Sequence, residues 1–506
     1  MSISVLLEMA VSADDERTAV VCDDVRLTTR RLDHLASGAA GLIASTGARH
    51  VVYVGVGGVM SPLGIFGSAR AGVPFTPINY RLAAEAVRTL VDRLDDPLVV
   101  ADSRYLESLQ GSARTVMSTD EFLSRAQDHP HHDAMPGDED VAVVLFTSGT
   151  TSAPKAVQLT HRNLTSYIIG TVEFASADPR DAALICVPPY HIAGVGAAMS
   201  NLYAGRTMVY LTAFDARRWL STVVDEGVTS ATVVPTMLDR IVAELRRRPV
   251  ELPTLRTLAY GGSKASLPLV RAAMDLLPGV GFVNAYGLTE TSSTIAVLTD
   301  ADHREAHGHH DAGVAARLAS VGRPVDGIEV AIRTEDGSWA AAGEPGRLFV
   351  RGDQVSGRYA DVGSVLDADG WFDTGDNAHL DDAGYLFIVG RADDTIIRGG
   401  ENIAPAEVED VIAEFPGVRE VAVVGLPDEE WGQALVAAVV GEDGVDIDPA
   451  AVRAHVRQRL HGSRTPDRVV VLDELPVTAT GKVLRRQIVE DLAVATADAS
   501  AGTGTR

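Results

Sequence analysis

Between residue 19 and about residue 285, short apolar runs alternate with segments of helical periodicity, and this constrains the fold more than any other feature. Residues 51–56 read as a strand, 62–72 as a helix, 73–78 as a strand and 83–94 as a helix. Strand-like runs continue at 184–187, 208–211, 231–234 and 282–285. Repeated alternation of this kind predicts parallel sheets covered by helices. So long a stretch predicts two such sheets sharing a helical layer. At 506 residues the chain exceeds one ordinary core, so two or more domains are expected.

The texture changes after about residue 322. Short strands at 329–332, 346–350 and 385–389 are separated by Asp- and Gly-rich turns, which predicts a small antiparallel sheet or barrel. Beyond Arg391 a compact α+β pattern begins, with helices at 406–414 and 449–460 and strands at 418–424 and 435–440. The expected division is a large N-terminal domain over 1–391, with its β-rich subdomain at about 322–390. A small mobile C-terminal domain follows over 392–493, then a disordered tail over 494–506.

The net charge of −25 argues against nucleic acid or an anionic membrane as the main partner. An anionic ligand must then be met by local positive charge and oriented N–H groups. Cys22 and Cys186 make no disulfide framework, and no signal-peptide pattern or bilayer-length apolar stretch is visible, so a cytoplasmic protein is expected. His129, His131 and His132, and later His303, His307, His309 and His310, match no metal-ligand spacing and read as solvated loop residues.

Five stretches carry chemistry. Thr147-Ser148-Gly149-Thr150-Thr151-Ser152-Ala153-Pro154-Lys155 follows the apolar run 141–144 and precedes a capped helix after residues 160–163. Glycine admits close backbone approach, hydroxyls add donors and lysine supplies a point charge, so the loop suits an anion. It is not a Walker A loop. Tyr260-Gly261-Gly262-Ser263-Lys264 reads, by itself, as a Gly-Gly turn. Asn284-Ala285-Tyr286-Gly287-Leu288-Thr289-Glu290 continues a strand, at the carboxyl end where ligands collect in α/β sheets. Trp371-Phe372-Asp373-Thr374-Gly375-Asp376 reads, by itself, as an unremarkable Asp-Gly turn. Pro188-Pro189-Tyr190-His191 opens a segment in which no Asp or Glu occurs from Cys186 to Leu211.

Together with Gly390-Arg391-Ala392-Asp393, Arg398-Gly399-Gly400-Glu401 and Pro476-Val477-Thr478-Ala479-Thr480-Gly481-Lys482, these motifs resemble, in order, those of the adenylate-forming superfamily. That family contains acyl-CoA synthetases, aryl-CoA ligases, luciferases and peptide-synthetase adenylation domains. The resemblance covers about residues 19–492. It departs at Ser152 and Ala156, where glycine is usual; neither change removes a phosphate donor.

The resemblance implies ATP, Mg2+ and CoA, or a carrier-protein phosphopantetheine, as cofactors and substrates. It places phosphates at Thr147, Ser148, Gly149, Thr150, Thr151 and Lys155, and the adenine edge at Gly262, Ser263, Lys264, Asn284, Ala285 and Gly287. Tyr286 covers the adenine face, Thr289 meets the α-phosphate and Glu290 holds magnesium. Asp376 and Arg391 serve the ribose or phosphates, and His191 sits at the acid pocket. Asp393 is the hinge, Gly399 and Gly400 line the pantetheine arm, and Lys482 is the C-terminal catalytic lysine. The implied activity is two-step: acyl-AMP and pyrophosphate from a carboxylic, fatty acid, then acyl-CoA and AMP. A buried ammonium without a carboxylate is costly, so the acid-free stretch after Cys186 favours a substrate lacking an α-amino group. Three alternatives stand beside it: a ligase loading an acyl carrier protein, a noncatalytic nucleotide- or acyl-binding relative, and an unrelated P-loop nucleotide hydrolase.

Overall fold

The computed structural model describes residues 1–147, 154–428, 431–442, 444–460, 462–478 and 482–501, with 494–501 in backbone only. Two large sheets form the N-terminal body. The first has nine strands, in the order Arg323–Pro324, Ser293–Leu298, Gly281–Leu288, Thr257–Gly261, Ser230–Val233, Ala182–Ile185, Thr207–Tyr210, Thr18–Cys22 and Val25–Thr28. Its central pairs are parallel and its edges antiparallel. The second has eight strands, with parallel pairing among His50–Val54, Phe75–Pro77, Pro97–Ala101 and Thr115–Ser118.

The helices Thr29–Thr46, Met60–Ala71 and Ile192–Ala204 contribute to one core with residues from both sheets. Val20, Ile185 and Met208 of the first sheet share it with Val51, Val100 and Val143 of the second. This is the shared helical layer that the alternation predicts, and it leaves helix Met60–Ala71 apolar and buried almost all round.

A four-stranded antiparallel sheet of Glu329–Arg333, Gly346–Arg351, Phe372–Leu380 and Leu386–Arg391 packs on Ile295 and Ala296 of the first sheet. The C-terminal domain is built on strands Val418–Asp428, Gly432–Gly441 and Arg468–Val471. Alternation along Gly432–Gly441 sends Leu435, Ala437 and Val439 to one core and Val436, Ala438 and Val440 to another. Helix Arg485–Ala501 covers the second core through Ile488 and Leu492, so the chain is helical through part of the stretch expected to be a disordered tail. No helix among the described residues is long and apolar enough to cross a membrane.

Two sequence expectations need correction. Residues 155–160 form a strand, Lys155–Thr160, antiparallel to Val141–Thr147, so the hydroxyl-rich stretch joins two strands and not a strand to a helix. Buried Val157 and Leu159 flank part-exposed Gln158, and that period of two is the reason. The helix His161–Thr171 begins only afterwards, with Thr160 and Asn163 in a capping box. The second correction is His303, fully buried in helix Asp300–Ala306 and 2.8 Å from the Tyr260 hydroxyl; it is a core residue, not a solvated one.

Candidate active site

Tyr286, Asp376 and Arg391 come from three strands and meet at one point. Asp376 and Arg391 are cross-strand partners in the four-stranded sheet, and Arg391 Nε lies 3.0 Å from Asp376 Oδ1. Tyr286, on Gly281–Leu288, donates its hydroxyl to Asp376 Oδ2. Arg391 also donates to the Thr374 carbonyl at 3.1 Å. Asp376 is only 5 % exposed, and burial raises its pKa above the ordinary carboxylate range. Arg391, the Tyr286 hydroxyl and Lys482 act in the opposite direction, so burial outweighs them. Burial and the Asp376 charge hold the Tyr286 hydroxyl well above its ordinary pKa, keeping it a donor.

Thr289 and Glu290 occupy the single turn Thr289–Thr291 that follows the same strand. The backbone is strained just beyond it: Ser292 and Ser293 have φ of 56° and 117°. Glu290 Oε1 accepts from the Tyr359 hydroxyl at 2.9 Å; Oε2 has no protein hydrogen-bond partner among the described residues. No group of three or more His, Cys, Asp or Glu that could hold a metal occurs among the described residues. One free carboxylate oxygen fits magnesium, which binds through one or two carboxylates plus phosphate and water. Thr147 and Lys155 are cross-strand partners, and the Lys155 ammonium lies 5.3 Å from the Tyr359 ring centroid. Ser148, Gly149, Thr150 and Thr151 lie outside the described residues.

Pairing of Tyr260 with Asn284 and Gly261 with Ala285 sets the Gly262–Ser263 turn beside the Tyr286 strand. Gly262 has φ +82°, a conformation that favours glycine. At Gly287 a Cβ would collide with the Ser293 carbonyl, so the hairpin requires glycine there. Asn284 donates to the Ser320 carbonyl at 3.3 Å. Lys264, expected at the adenine edge, forms a 2.7 Å ion pair with Asp410 of the C-terminal domain. His191 caps helix Ile192–Ala204, its Nδ1 accepting from the Ala193 N–H at 3.2 Å. Burial lowers its pKa to about 4, so the imidazole is neutral near pH 7.

Lys482 sits in a turn closed by Thr478 N–H to the Lys482 carbonyl at 2.7 Å and Lys482 N–H to Thr478 Oγ1 at 3.0 Å. Its side chain is exposed overall, yet protein crowded around the ammonium lowers its pKa. Arg391 adds to that depression, while Asp394 and Asp376 oppose it. The lysine is thus near enough to Asp376 and Arg391 for their charges to act on it. Asp393 is exposed in the turn Ala392–Asp394 that leads out of strand Leu386–Arg391. Gly399 and Gly400 form the tip of the hairpin Ile396–Arg398 and Glu401–Ile403. That hairpin bonds elsewhere: the Gly399 N–H donates to the Trp431 carbonyl at 2.8 Å, and the Ile397 N–H to Gln433 at 2.6 Å.

Sequence reasoning passed over Tyr359 and Gln354. Gln354 is buried and donates to the Thr291 and Thr294 carbonyls at 3.0 and 2.8 Å, bracing the strained turn. Neither residue stands in a pattern with chemical meaning of its own; only the fold brings them to the site.

Matches to known proteins cover nearly the whole chain. The AMP-binding enzyme family matches residues 7–360, and its C-terminal domain matches residues 407–482. A feruloyl-CoA synthase from Amycolatopsis sp. is 35% identical over 91% of this chain and 92% of its own. A fatty acid–[acyl-carrier-protein] ligase from Streptomyces coeruleorubidus is 31% identical over 93% and 92%. The o-succinylbenzoate coenzyme A synthetase of Bacillus subtilis, solved with ATP and a magnesium ion, superposes with a TM-score of 0.82 at 26% identity, covering 96% of this chain and 99% of that one. The chain therefore belongs to the adenylate-forming AMP-binding enzymes, within the acyl- and aryl-CoA ligases.

Proposed function

We propose that this enzyme activates a monocarboxylic acid with an apolar body, a fatty acid, and transfers the acyl group to CoA. In the first step the carboxylate attacks the α-phosphorus of ATP, the bond to pyrophosphate breaks and acyl-AMP forms. Asp376 accepts from the ribose hydroxyls, Tyr286 lies along the adenine, and Gly262, Ser263, Asn284, Ala285 and Gly287 border its edge. Thr289 meets the α-phosphate, while Lys155 and the Thr147 loop hold the departing phosphates. Lys482 and Arg391 offset the charge that builds as two anions meet. Magnesium at Glu290 would draw off phosphate charge. In the second step the CoA thiol attacks the acyl carbonyl and AMP leaves. Between steps the C-terminal domain turns about Asp393, withdrawing Lys482 and bringing Gly399 and Gly400 to the site.

The observation carrying the nucleotide assignment is the convergence of Tyr286, Asp376, Arg391 and the Lys482 charge. The neutral His191 and the acid-free stretch after Cys186 support the apolar acid. Two relatives favour a second reading of each substrate: an aryl acid, from the feruloyl-CoA synthase, and a carrier-protein thiol, from the acyl-carrier-protein ligase. A pyrophosphate-release screen over aliphatic and aromatic acids, each with and without CoA, separates them. Turnover of fatty acids with CoA is expected. Activation of free α-amino acids alone would overturn the acid assignment, and absence of pyrophosphate release with every acid would leave a noncatalytic relative.

A further inference from the structure

We infer that Tyr359 is a positioning residue that joins the lysine of the hydroxyl-rich stretch to the carboxylate assigned to magnesium. The inference rests on the reading above, in which Glu290 holds the cation. Tyr359 is 9 % exposed and lies in the short strand Arg358–Tyr359, which pairs with Val157 of strand Lys155–Thr160. Its hydroxyl donates to Glu290 Oε1, and its ring faces the Lys155 ammonium within the range of cation–π attraction.

The surrounding backbone holds the same two groups. The Ser356 and Gly357 N–H groups donate to the Glu290 carbonyl at 2.8 and 3.4 Å, and the Ala360 N–H donates to the Ala156 carbonyl at 2.9 Å. Residues 356–360 therefore clasp the Glu290 turn on one side and the Lys155 strand on the other.

Two consequences follow for the carboxylate. A hydrogen bond to Oε1 fixes the carboxylate plane and leaves Oε2 for the cation. The ring also gives Lys155 a resting place other than Glu290, and no ion pair joins the two among the described residues. Without the ring, the ammonium is free to neutralise the carboxylate that the cation needs.

Two variants separate these effects. Tyr359→Phe removes only the hydroxyl; Tyr359→Leu removes the ring as well. Pyrophosphate release is measured against free Mg2+ at saturating ATP and acid, and the Mg2+ midpoint is read independently from the rise in unfolding temperature with ATP and no acid. Tyr359→Phe should raise the Mg2+ midpoint about tenfold, the weight of one hydrogen bond to a charged group. Excess Mg2+ should restore its rate, and KM for the acid should stay at the parental value. Tyr359→Leu should raise KM for ATP as well. A parental Mg2+ midpoint in Tyr359→Phe, or a lost rate that excess Mg2+ does not restore, overturns the inference alone. A parental enzyme that releases no pyrophosphate overturns the ligase reading, and this inference with it.

Discussion

The candidate nucleotide site and the C-terminal domain are held in opposite ways. The site is anchored by packed elements: Tyr286 bonds Asp376 between the first large sheet and the four-stranded one, and buried Gln354, beyond strand Gly346–Arg351, bonds the turn Thr289–Thr291. The C-terminal domain carries its own two cores, around Val423 and Val424, separate from those of the N-terminal body. Lys264 pairs with Asp410 across an exposed surface, and Lys482 feels Asp376 and Arg391. Apolar burial is hard to exchange, whereas solvated ion pairs cost little to break. On the proposed reading, one region is preorganised for ATP, and the other is attached by contacts that it can trade.

The largest expected effect tests the traded contact that matters most. Lys482→Ala should slow adenylate formation by roughly 10²- to 10³-fold, the scale for removing one preorganised charge donor from a transition state. Thioester formation from supplied acyl-adenylate should survive. Equal loss of both half-reactions would mean that Lys482 belongs to the fixed region.

Next comes the proposed joint, Asp393. The turn Ala392–Asp394 is a tight helical turn, and turns of this kind hold φ at about −50 to −70°, which proline accepts at some cost to the residue before it. Asp393→Pro should hold the present arrangement, giving a near-normal burst of pyrophosphate and about tenfold or more loss of thioester turnover. Thioester made at the parental rate would show that the two regions pivot elsewhere.

The third test asks where acid sensitivity resides. His161 is 2 % exposed, accepts from the Ile3 N–H at 3.2 Å and is lowered by burial to a pKa of about 4. An unfolded histidine titrates near 6.5, so between these values the unfolded state binds more protons. This stability is complete above about pH 6.5 and is lost as pH falls toward 4. The loss at pH 5 is about 2 kcal/mol. Thermal unfolding should show the N-terminal transition falling between pH 7 and 5, and His161→Gln should flatten that slope. An unchanged slope in the variant would remove His161 from the account.

The smallest effect concerns the exposed ion pair. Lys264→Ala should shift the partition between half-reactions by no more than about fivefold, since such pairs contribute about 0–1 kcal/mol. A large rise in KM for ATP would return Lys264 to the adenine edge.

Much of this architecture was legible because its elements are either strongly periodic or chemically marked. The strands His50–Val54, Ala182–Ile185 and Ser230–Val233 fall within a few residues of the apolar runs that announce them. Asp376 and Glu290 stand out by their motifs, and the structure sets the first against Tyr286 and Arg391 and the second against Tyr359. Lys155–Thr160 was missed because helix-capping residues immediately follow it and the hydroxyl-rich run before it reads as a loop. His303 was misread because its neighbours His307, His309 and His310 suggest a solvated cluster, while burial against Tyr260 is a tertiary fact. Tyr359 and Gln354 are far in sequence from the groups they touch, and no local pattern encodes such contacts.

The direct pairing of Thr147 with Lys155 has a bearing on how the gene can change. Seven residues, 148–154, separate the two partners. The register of the two strands decides which side chains enter the core. A slip of one residue would turn Val157 and Leu159 outward and Gln158 inward. Any change that moved the register here would therefore reach past the surface, into the core that Val157 and Leu159 share with both large sheets.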